Sequence, residues 1–441
     1  MFWVFFLAFI LRLPIMFSSL WLDESIQALA LMGKMGPLLK YALADFQPPI
    51  YHFILSAWTS LTGYSEFALR TPSFLAGLGT VYFAIKLGEL LQDKKVGQIL
   101  GFLVATNPLL IYYSAEGRTY MLTTFFVTAS FYYLFQLLTS HSRHTPQAIR
   151  YTLSTMLALW SSYLVWIIIF IQLVYLVYKR NWNITRLTFL AFLSLIPWIP
   201  SLLSSLNIGL STMTNSPEWG RVVGGISGKA IALTWVKATI GRISFINKYL
   251  YAGIVSFIAV LHAHILRHIK IKPLLLVICI IGTIILASLV SLIIPVYAYF
   301  RLLFLIPLYL TLLVLGLSRL PRYFTSIILT LNIIFITIFY FTPHFHHENW
   351  RSLTQFLNTH EGIVAMPSLA QNAPLIYYNL TLPLTEVKNN ESLTADSVYY
   401  IKYVEDLFDP MLIGRDNLVK QGYTMSNEIV YTGLKLEIYE K

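Results

Sequence analysis

The chain has 441 residues, of which 57% are hydrophobic, 15% aromatic and only 12% charged. Soluble domains carry about 25% charged residues, so half that value excludes a soluble globular protein and excludes disorder. The apolar residues fall in runs near the ~20 needed to cross a ~30 Å hydrocarbon core, which predicts a polytopic α-helical membrane protein.

Charge divides the sequence. Residues 1–343 hold 24 Lys+Arg and 8 Asp+Glu, a net of +16, whereas residues 344–441 hold 7 and 12, a net of −5. The basic pI therefore belongs to the apolar part and does not describe a nucleic-acid surface. Two explanations compete for the excess: cytoplasmic loops obeying the positive-inside rule, or a site for an anionic lipid or substrate. The single cysteine, Cys279, lies in an apolar run and excludes internal disulfides.

In chain order, Met1 to Leu20 reads as the first membrane helix, with Arg12 in its middle and no basic leader or cleavage site. Further spans are expected at 66–91, 96–113, 118–138, 187–203, 249–267, 273–293, 301–317 and 323–342. The run 151–178 is too long for one span and is flanked by basic residues at both ends. It is expected to be a hairpin of two short helices bending at Ser161, Ser162 and Tyr163. That makes eleven spans. The short basic segments with Lys94 and Lys95, Arg143 and Arg150, Lys179 to Arg186, Arg267 to Lys272, and Arg319 with Arg322 then share one face, expected to be cytoplasmic. Loop 20–65, loop 204–248, the links 114–118 and 294–300 and the tail share the other.

Loop 20–65 contains Gly33, Gly36, Pro37 and Pro48-Pro49, and fits two surface-lying helices near 24–43 and 49–62. Loop 204–248 alternates Lys229, Lys237, Arg242 and Lys248 with apolar residues and also reads as partly surface-lying. From residue 344 the composition becomes ordinary. Strand-like runs at Gly362 to Met366, Ser397 to Tyr403 and Glu428 to Tyr439, the last turning at Thr432-Gly433, predict a small α/β domain with a terminal hairpin. The domains expected are thus 1–343 and 344–441. Triplets beginning at Asn183, Asn379 and Asn390 match glycosylation acceptors, a pattern common by chance.

The polar residues that could carry chemistry gather at the outer interface. Trp21-Leu-Asp-Glu-Ser places Asp23 and Glu24 where the first span ends. Either can serve as a general base or a metal ligand; the alternative is a helix start, with Asp23 as cap and Glu24 in the first turn. Glu116 and Arg118 sit in a tight link between two apolar spans, as chemical groups or as boundary markers. Tyr297-Ala-Tyr-Phe-Arg brings Tyr299 and Arg301 together. A guanidinium beside tyrosines can clamp a phosphate, or it can snorkel within an aromatic belt. Arg70, following Glu66, and the deeper Arg12 fit either function or structural pairing. His52 follows Pro48-Pro49-Ile-Tyr and fits a ligand or a packed side chain. His344, His346 and His347 cluster after the last span, as metal ligands or interfacial histidines.

These motifs, in this order, resemble the GT-C superfamily of membrane glycosyltransferases. The similarity is to the bacterial branch related to protein O-mannosyltransferases and to the lipid A aminoarabinose transferase (glycosyltransferase family 39-like). It rests on Trp21-Leu-Asp-Glu, Gln47-Pro-Pro-Ile-Tyr, Arg70-Thr-Pro, Asn107-Pro-Leu-Leu-Ile-Tyr-Tyr-Ser-Ala-Glu-Gly-Arg-Thr-Tyr, Tyr299-Phe-Arg-Leu-Leu-Phe-Leu-Ile-Pro and Asn349-Trp-Arg. The resemblance is strong over 1–140, moderate over 295–355 and weak between. It implies an inverting transferase that uses a polyprenyl-phosphate sugar on the extracytoplasmic side, embedded in a bacterial cytoplasmic membrane. Its acceptor would be a lipid, glycan or protein.

By the same resemblance Asp23 is the base, Glu24 its partner, and Glu116 lies in the region of a second acid. Arg301 meets the lipid phosphate, while Arg70, Arg118, Tyr299 and His52 are the remaining substrate-binding candidates. Phe46 and Gln47 stand where relatives place an acidic residue and a lysine. A divalent metal is left open, with Asp23, Glu116 and His52 as its candidate ligands. Competing readings are a transporter or flippase of lipid-linked glycans, a glycan polymerase or ligase, and a glycan-binding tail using Trp350, Tyr377 and Tyr378. A transporter usually shows internal repeats and helices broken near the midplane, whereas the polar residues here gather at one interface.

Overall fold

The computed structural model describes residues 1–33, 41–43, 45, 47–139, 145–215, 226–269, 273–387 and 392–441, with no side chains from 208 to 215. Gly36, Pro37, Phe46, Arg143, Lys272 and Asn390 therefore lie outside the described residues. The chain forms two compact units. One comprises Met1–Met16, Leu39–Gly63 and Phe67–Phe341; the other comprises Phe17–Leu38, Tyr64–Glu66 and Thr342–Lys441. The second unit thus gathers parts of the first loop as well as the tail.

The first unit is helical. Helices lie at each of the eleven expected spans: Phe2–Arg12, Glu66–Leu91, Lys94–Thr106, Tyr120–Thr139, Thr145–Leu159, Tyr163–Tyr178, Trp182–Leu193, Lys248–Leu266, Leu274–Val290, Leu305–Leu317 and Arg322–Phe341. Among the described residues five helical stretches are long and apolar enough to cross a membrane by themselves, or up to seven if two bent helix pairs are each one span. The other expected spans are formed by shorter helices, among them Tyr163–Tyr178, Leu274–Val290 and Leu305–Leu317, and breaks divide the two bent pairs. At Asn107-Pro108 the backbone bends by 61°. There the Asn107 side chain accepts from the N–H groups of Leu109 and Leu110, and Pro108 opens the next helix.

The run 151–178 breaks at Trp160 to Ser162 as the charge argument required. Ser161 Oγ donates to the Ala158 carbonyl at 2.6 Å, and the Trp166 indole donates to Leu159 at 2.8 Å. Lipid tails give apolar helix faces little reason to associate, so polar contacts and small residues supply the specificity. Ser130 and Thr155 share a hydrogen bond of 2.7 Å, Tyr151 and Thr188 one of 2.6 Å. A Cβ placed on Gly88 would lie 2.8 Å from Gly97 Cα, so these two helices touch through backbone. Outside the spans, Ile50–Thr62 is the second helix expected in the first loop, and Gly228–Ile240 lies in loop 204–248.

The second unit carries a five-stranded sheet. Its strands are β1 (Ile363–Met366), β2 (Leu384–Glu386), β3 (Ser397–Lys402), β4 (Thr424–Tyr431) and β5 (Leu434–Glu440), in the order β2-β1-β3-β5-β4. β1 runs parallel to β2 and β3; β5 runs antiparallel to β3 and β4. Period-two alternation along β3 sends Tyr399 and Ile401 into one core with Trp350, Leu353 and Leu436. Val398 and Tyr400 enter the other with Leu418 and Tyr423. The terminal hairpin forms as expected, with Gly433 at φ +70° in its turn. Strand β2 was not foreseen, because three half-buried residues leave little pattern. Helix Leu22–Leu31 belongs to this unit, and Leu22 packs on the core around Trp350 and Tyr403.

Candidate active site

Asp23 and Glu24 belong to the second unit. The helix starts at Leu22 and its cap residue is Trp21, in extended conformation, so Asp23 is not the cap. The N-terminal contact is made by Glu24, which is 1% exposed and accepts from the Trp21 N–H at 3.5 Å. The helix-start reading thus falls on Glu24. Asp23 lies half-buried in the first turn, in the favourable field of the helix N-terminus.

Around these residues the tail contributes aromatic and acidic groups. The Trp21 ring stacks on His347 with centroids 6.3 Å apart. Tyr403 packs edge-on against Trp350 at 5.0 Å. Burial first, and then the charges of Glu348 and Asp23, push the Tyr403 hydroxyl well above its ordinary range, so it stays protonated and donates to Glu348. The motif Asn349-Trp-Arg proves structural. Asn349 caps helix Trp350–Leu357, and Trp350 is fully buried. Arg351 pairs with Glu66 at 2.6 Å. Tyr377 donates to the Tyr64 carbonyl and Tyr378 to Glu66. Trp350 is thus a packing residue, and the hydroxyls of Tyr377 and Tyr378 are held within this unit.

The first unit holds a separate polar cluster that includes a residue not singled out from the sequence. His52 Nε2 lies 2.9 Å from Asp45 Oδ2, and Arg118 Nη1 lies 3.7 Å from the same oxygen. The Tyr41 hydroxyl accepts from Arg118 at 3.4 Å, and its ring sits edge-on to His52 at 5.3 Å. Asp45 thus balances Arg118 and orients the imidazole, fixing Nε2 as the bonded nitrogen. His52 is 3% exposed, which makes it a packed and oriented histidine. The signal available in the sequence was an acid three residues before Pro48 and seven before His52.

The remaining candidates also fall in the first unit. Glu116 is buried, and its carbonyl accepts the Arg118 N–H at 2.8 Å. Arg70 is fully buried and donates to the carbonyls of Ile15 and Met16 at 3.3 Å. Arg301 sits in the short helix Tyr299–Leu302 and donates to Val296 O at 3.1 Å. Tyr299 lines a mostly apolar cavity of about 160 Å³ with Thr234, Trp235 and Tyr309. Arg12 is fully buried. It donates to Ser114 Oγ and to the carbonyls of Ala8, Val104 and Ala105, which is a structural use.

Among the described residues no three His, Cys, Asp or Glu side chains come together as a metal group. Asp23, Glu116 and His52 therefore form no such set, nor do the histidines after the last span. The pair Asp45 and His52 offers two donors where a closed metal site uses three or more.

Architecture and composition define an integral membrane protein carrying a small C-terminal α/β region. Structural likeness gives it a fold of the GT-C type. ArnT from Cupriavidus metallidurans bound to undecaprenyl phosphate aligns with a TM-score of 0.58 at 11% identity, over 99% of this chain and 96% of that one. Its apo state aligns with 0.56 at 11% identity, over 98% and 96%. The Archaeoglobus fulgidus oligosaccharyltransferase in complex with Zn and sulfate gives 0.51 at 11% identity, over 92% of this chain and 68% of that one. The family model described as Dolichyl-phosphate-mannose-protein mannosyltransferase matches residues 46–203. A comparison with curated protein sequences finds no match.

Proposed function

We propose that the protein is an inverting glycosyltransferase that moves a sugar from a polyprenyl-phosphate donor to a hydroxyl acceptor outside the cytoplasm. The observation that carries this reading is the fold shared, across 99% of this chain, with ArnT bound to undecaprenyl phosphate. The matching family description names a lipid-phosphate sugar, dolichyl-phosphate mannose.

The acceptor oxygen attacks the anomeric carbon and the bond from that carbon to the phosphate oxygen breaks. The phosphate leaves with the electron pair, and Asp23 takes the acceptor's proton. Glu24, whose carboxylate accepts at the helix start, is the partner of Asp23. Arg118 and Arg301 are the cations proposed to meet the phosphate. The basic segments at Lys94, Lys179 and Arg319 support a cytoplasmic location for the opposite ends of the spans.

The test is incubation of purified wild type and Asp23→Asn with a panel of polyprenyl-phosphate sugars, with membrane extract as acceptor source. Release of free polyprenyl phosphate is the readout. Turnover by the wild type that collapses in Asp23→Asn supports the reading. Retention of configuration in the product would contradict it, as would absence of both donor turnover and donor binding.

A further inference from the structure

The residues just before Asp23 meet side chains contributed from more than 300 positions away in sequence. On one side Trp21 stacks on His347, the residue before Glu348. On the other, Leu22 packs on the core that contains Trp350 and Tyr403. The neighbours of Asp23 therefore bring it to the segment 347–350 and to the end of β3.

Glu348 itself is fixed from two directions. The Tyr403 hydroxyl bonds to it. The turn of the terminal hairpin closes on it: a Cβ at Gly433 would lie 2.8 Å from Glu348 Cγ, and the next residue, Asn349, donates its N–H to the Thr432 carbonyl at 3.0 Å. A half-buried carboxylate gripped this way is placed, not merely solvated. None of these contacts follows from the acids of the first loop alone.

We propose that Glu348 and Tyr403 are positioning residues for Asp23, through which the C-terminal segment sets the orientation and proton affinity of the acid in the first loop. The proposal rests on the reading of Asp23 as the base. A second carboxylate nearby makes a proton on Asp23 more welcome, and a stronger base removes an acceptor proton more readily. The Tyr403 hydroxyl, flanked by both acids, cannot ionise in the working range and remains a fixed donor. The titratable groups on the neighbouring elements include Glu24 on the helix of Asp23, His347 on the segment before Glu348, and Tyr378 with the Glu66–Arg351 pair beside Leu20. They are unchanged in the variants below.

The experiment is a pH titration of carbodiimide labelling in the full-length protein in detergent, with peptide mass spectrometry resolving Asp23 from Glu348. The midpoint for Asp23 is expected to fall by about one pH unit in Glu348→Gln, where the like charge is gone, and to return in Glu348→Asp. In Tyr403→Phe the midpoint for Glu348 is expected to rise, because its hydrogen-bond donor is lost. An Asp23 midpoint unmoved by Glu348→Gln overturns the proposal. Should Glu348→Gln fail to fold, an unmoved Glu348 midpoint in Tyr403→Phe overturns it instead. The labelling needs no turnover, so failure of the transferase reading appears separately as absent sugar transfer with the carboxylate coupling intact. If transfer occurs, Glu348→Gln lowers kcat and leaves the donor KM in place.

Discussion

Arg12 donates its Nε to Ser114 Oγ at 3.0 Å, joining two residues 102 positions apart. The rest of the guanidinium reaches the carbonyls of Ala8, Val104 and Ala105, the last two in the final turn of Lys94–Thr106. A helix end leaves carbonyls without intrahelical partners, and in a hydrocarbon interior each orphan costs heavily. Arg12→Ala therefore removes the partner of several groups at once. It should lower stability by ~3 kcal/mol, measured as thermal loss of monodispersity in detergent. Turnover per folded molecule should stay near wild type; a stable but inactive variant would return Arg12 to the list of chemical residues.

Asp45 carries the polar cluster of the first unit, since both His52 and Arg118 address its Oδ2. Asp45→Asn keeps the shape and removes the charge, leaving Arg118 without that counter-ion. Donor KM is expected to rise about tenfold, the scale of one charge-assisted contact. Because the residues share a partner, Asp45→Asn and Arg118→Ala should be non-additive by ~1 kcal/mol or more in a double-mutant cycle. Strict additivity would mean that Arg118 works independently of Asp45.

Lys237 and Arg242 place two cations together. Lys237 Nζ donates to the Arg242 carbonyl at 3.2 Å, and the Arg242 guanidinium lies 4.4 Å from the centre of the Tyr112 ring. Burial first, and the Arg242 charge second, pull the Lys237 ammonium down to about 8 from 10.5. The folded state then binds fewer protons than the unfolded one between those values. The contribution of this group to stability therefore rises with pH from about 8 to 10.5 and is constant below. Reductive methylation at pH 8 should modify Lys237 faster than exposed Lys229 or Lys248, and Arg242→Met should slow it by removing the like charge. Equal rates across the three lysines would remove the basis for that ordering.

The apolar spans were legible because each demands a long run of one kind of residue. Even the break at Ser161 followed from basic residues at both ends of 151–178. The tail hairpin was legible through Thr432-Gly433 between alternating segments. What could not be read was partnership. Arg12, Arg70 and Arg351 look alike as letters near membrane boundaries, yet the first two serve backbone carbonyls and the third a carboxylate. Asp45 went unnoticed because its partners come from folding of the loop and of the link at Arg118, not from spacing along one helix. Asp23 and Glu24 are adjacent and chemically similar, and only the helix start at Leu22 separates their uses.

The tail holds a buried ionic network whose disruption should have a definite sign. Arg415 bonds to Glu437 and lies 3.3 Å from Glu405 through its Nε. Both acids are buried, and each also accepts from a tyrosine: Tyr400 on Glu405 at 2.9 Å, Tyr439 on Glu437 at 3.0 Å. Burial, followed by the Glu437 charge, pushes the Tyr439 hydroxyl up to about 12, so it remains a donor. Removing one member of such a network strands charge in a low-dielectric interior, whereas replacing all members can be neutral. Arg415→Leu should therefore cost ~3 kcal/mol and speed hydrogen exchange in β3 and β5 by about a hundredfold. Adding Glu405→Leu and Glu437→Leu should recover most of that loss. If the triple variant exchanges as fast as Arg415→Leu, the network stabilises through its geometry and not by compensating buried charge.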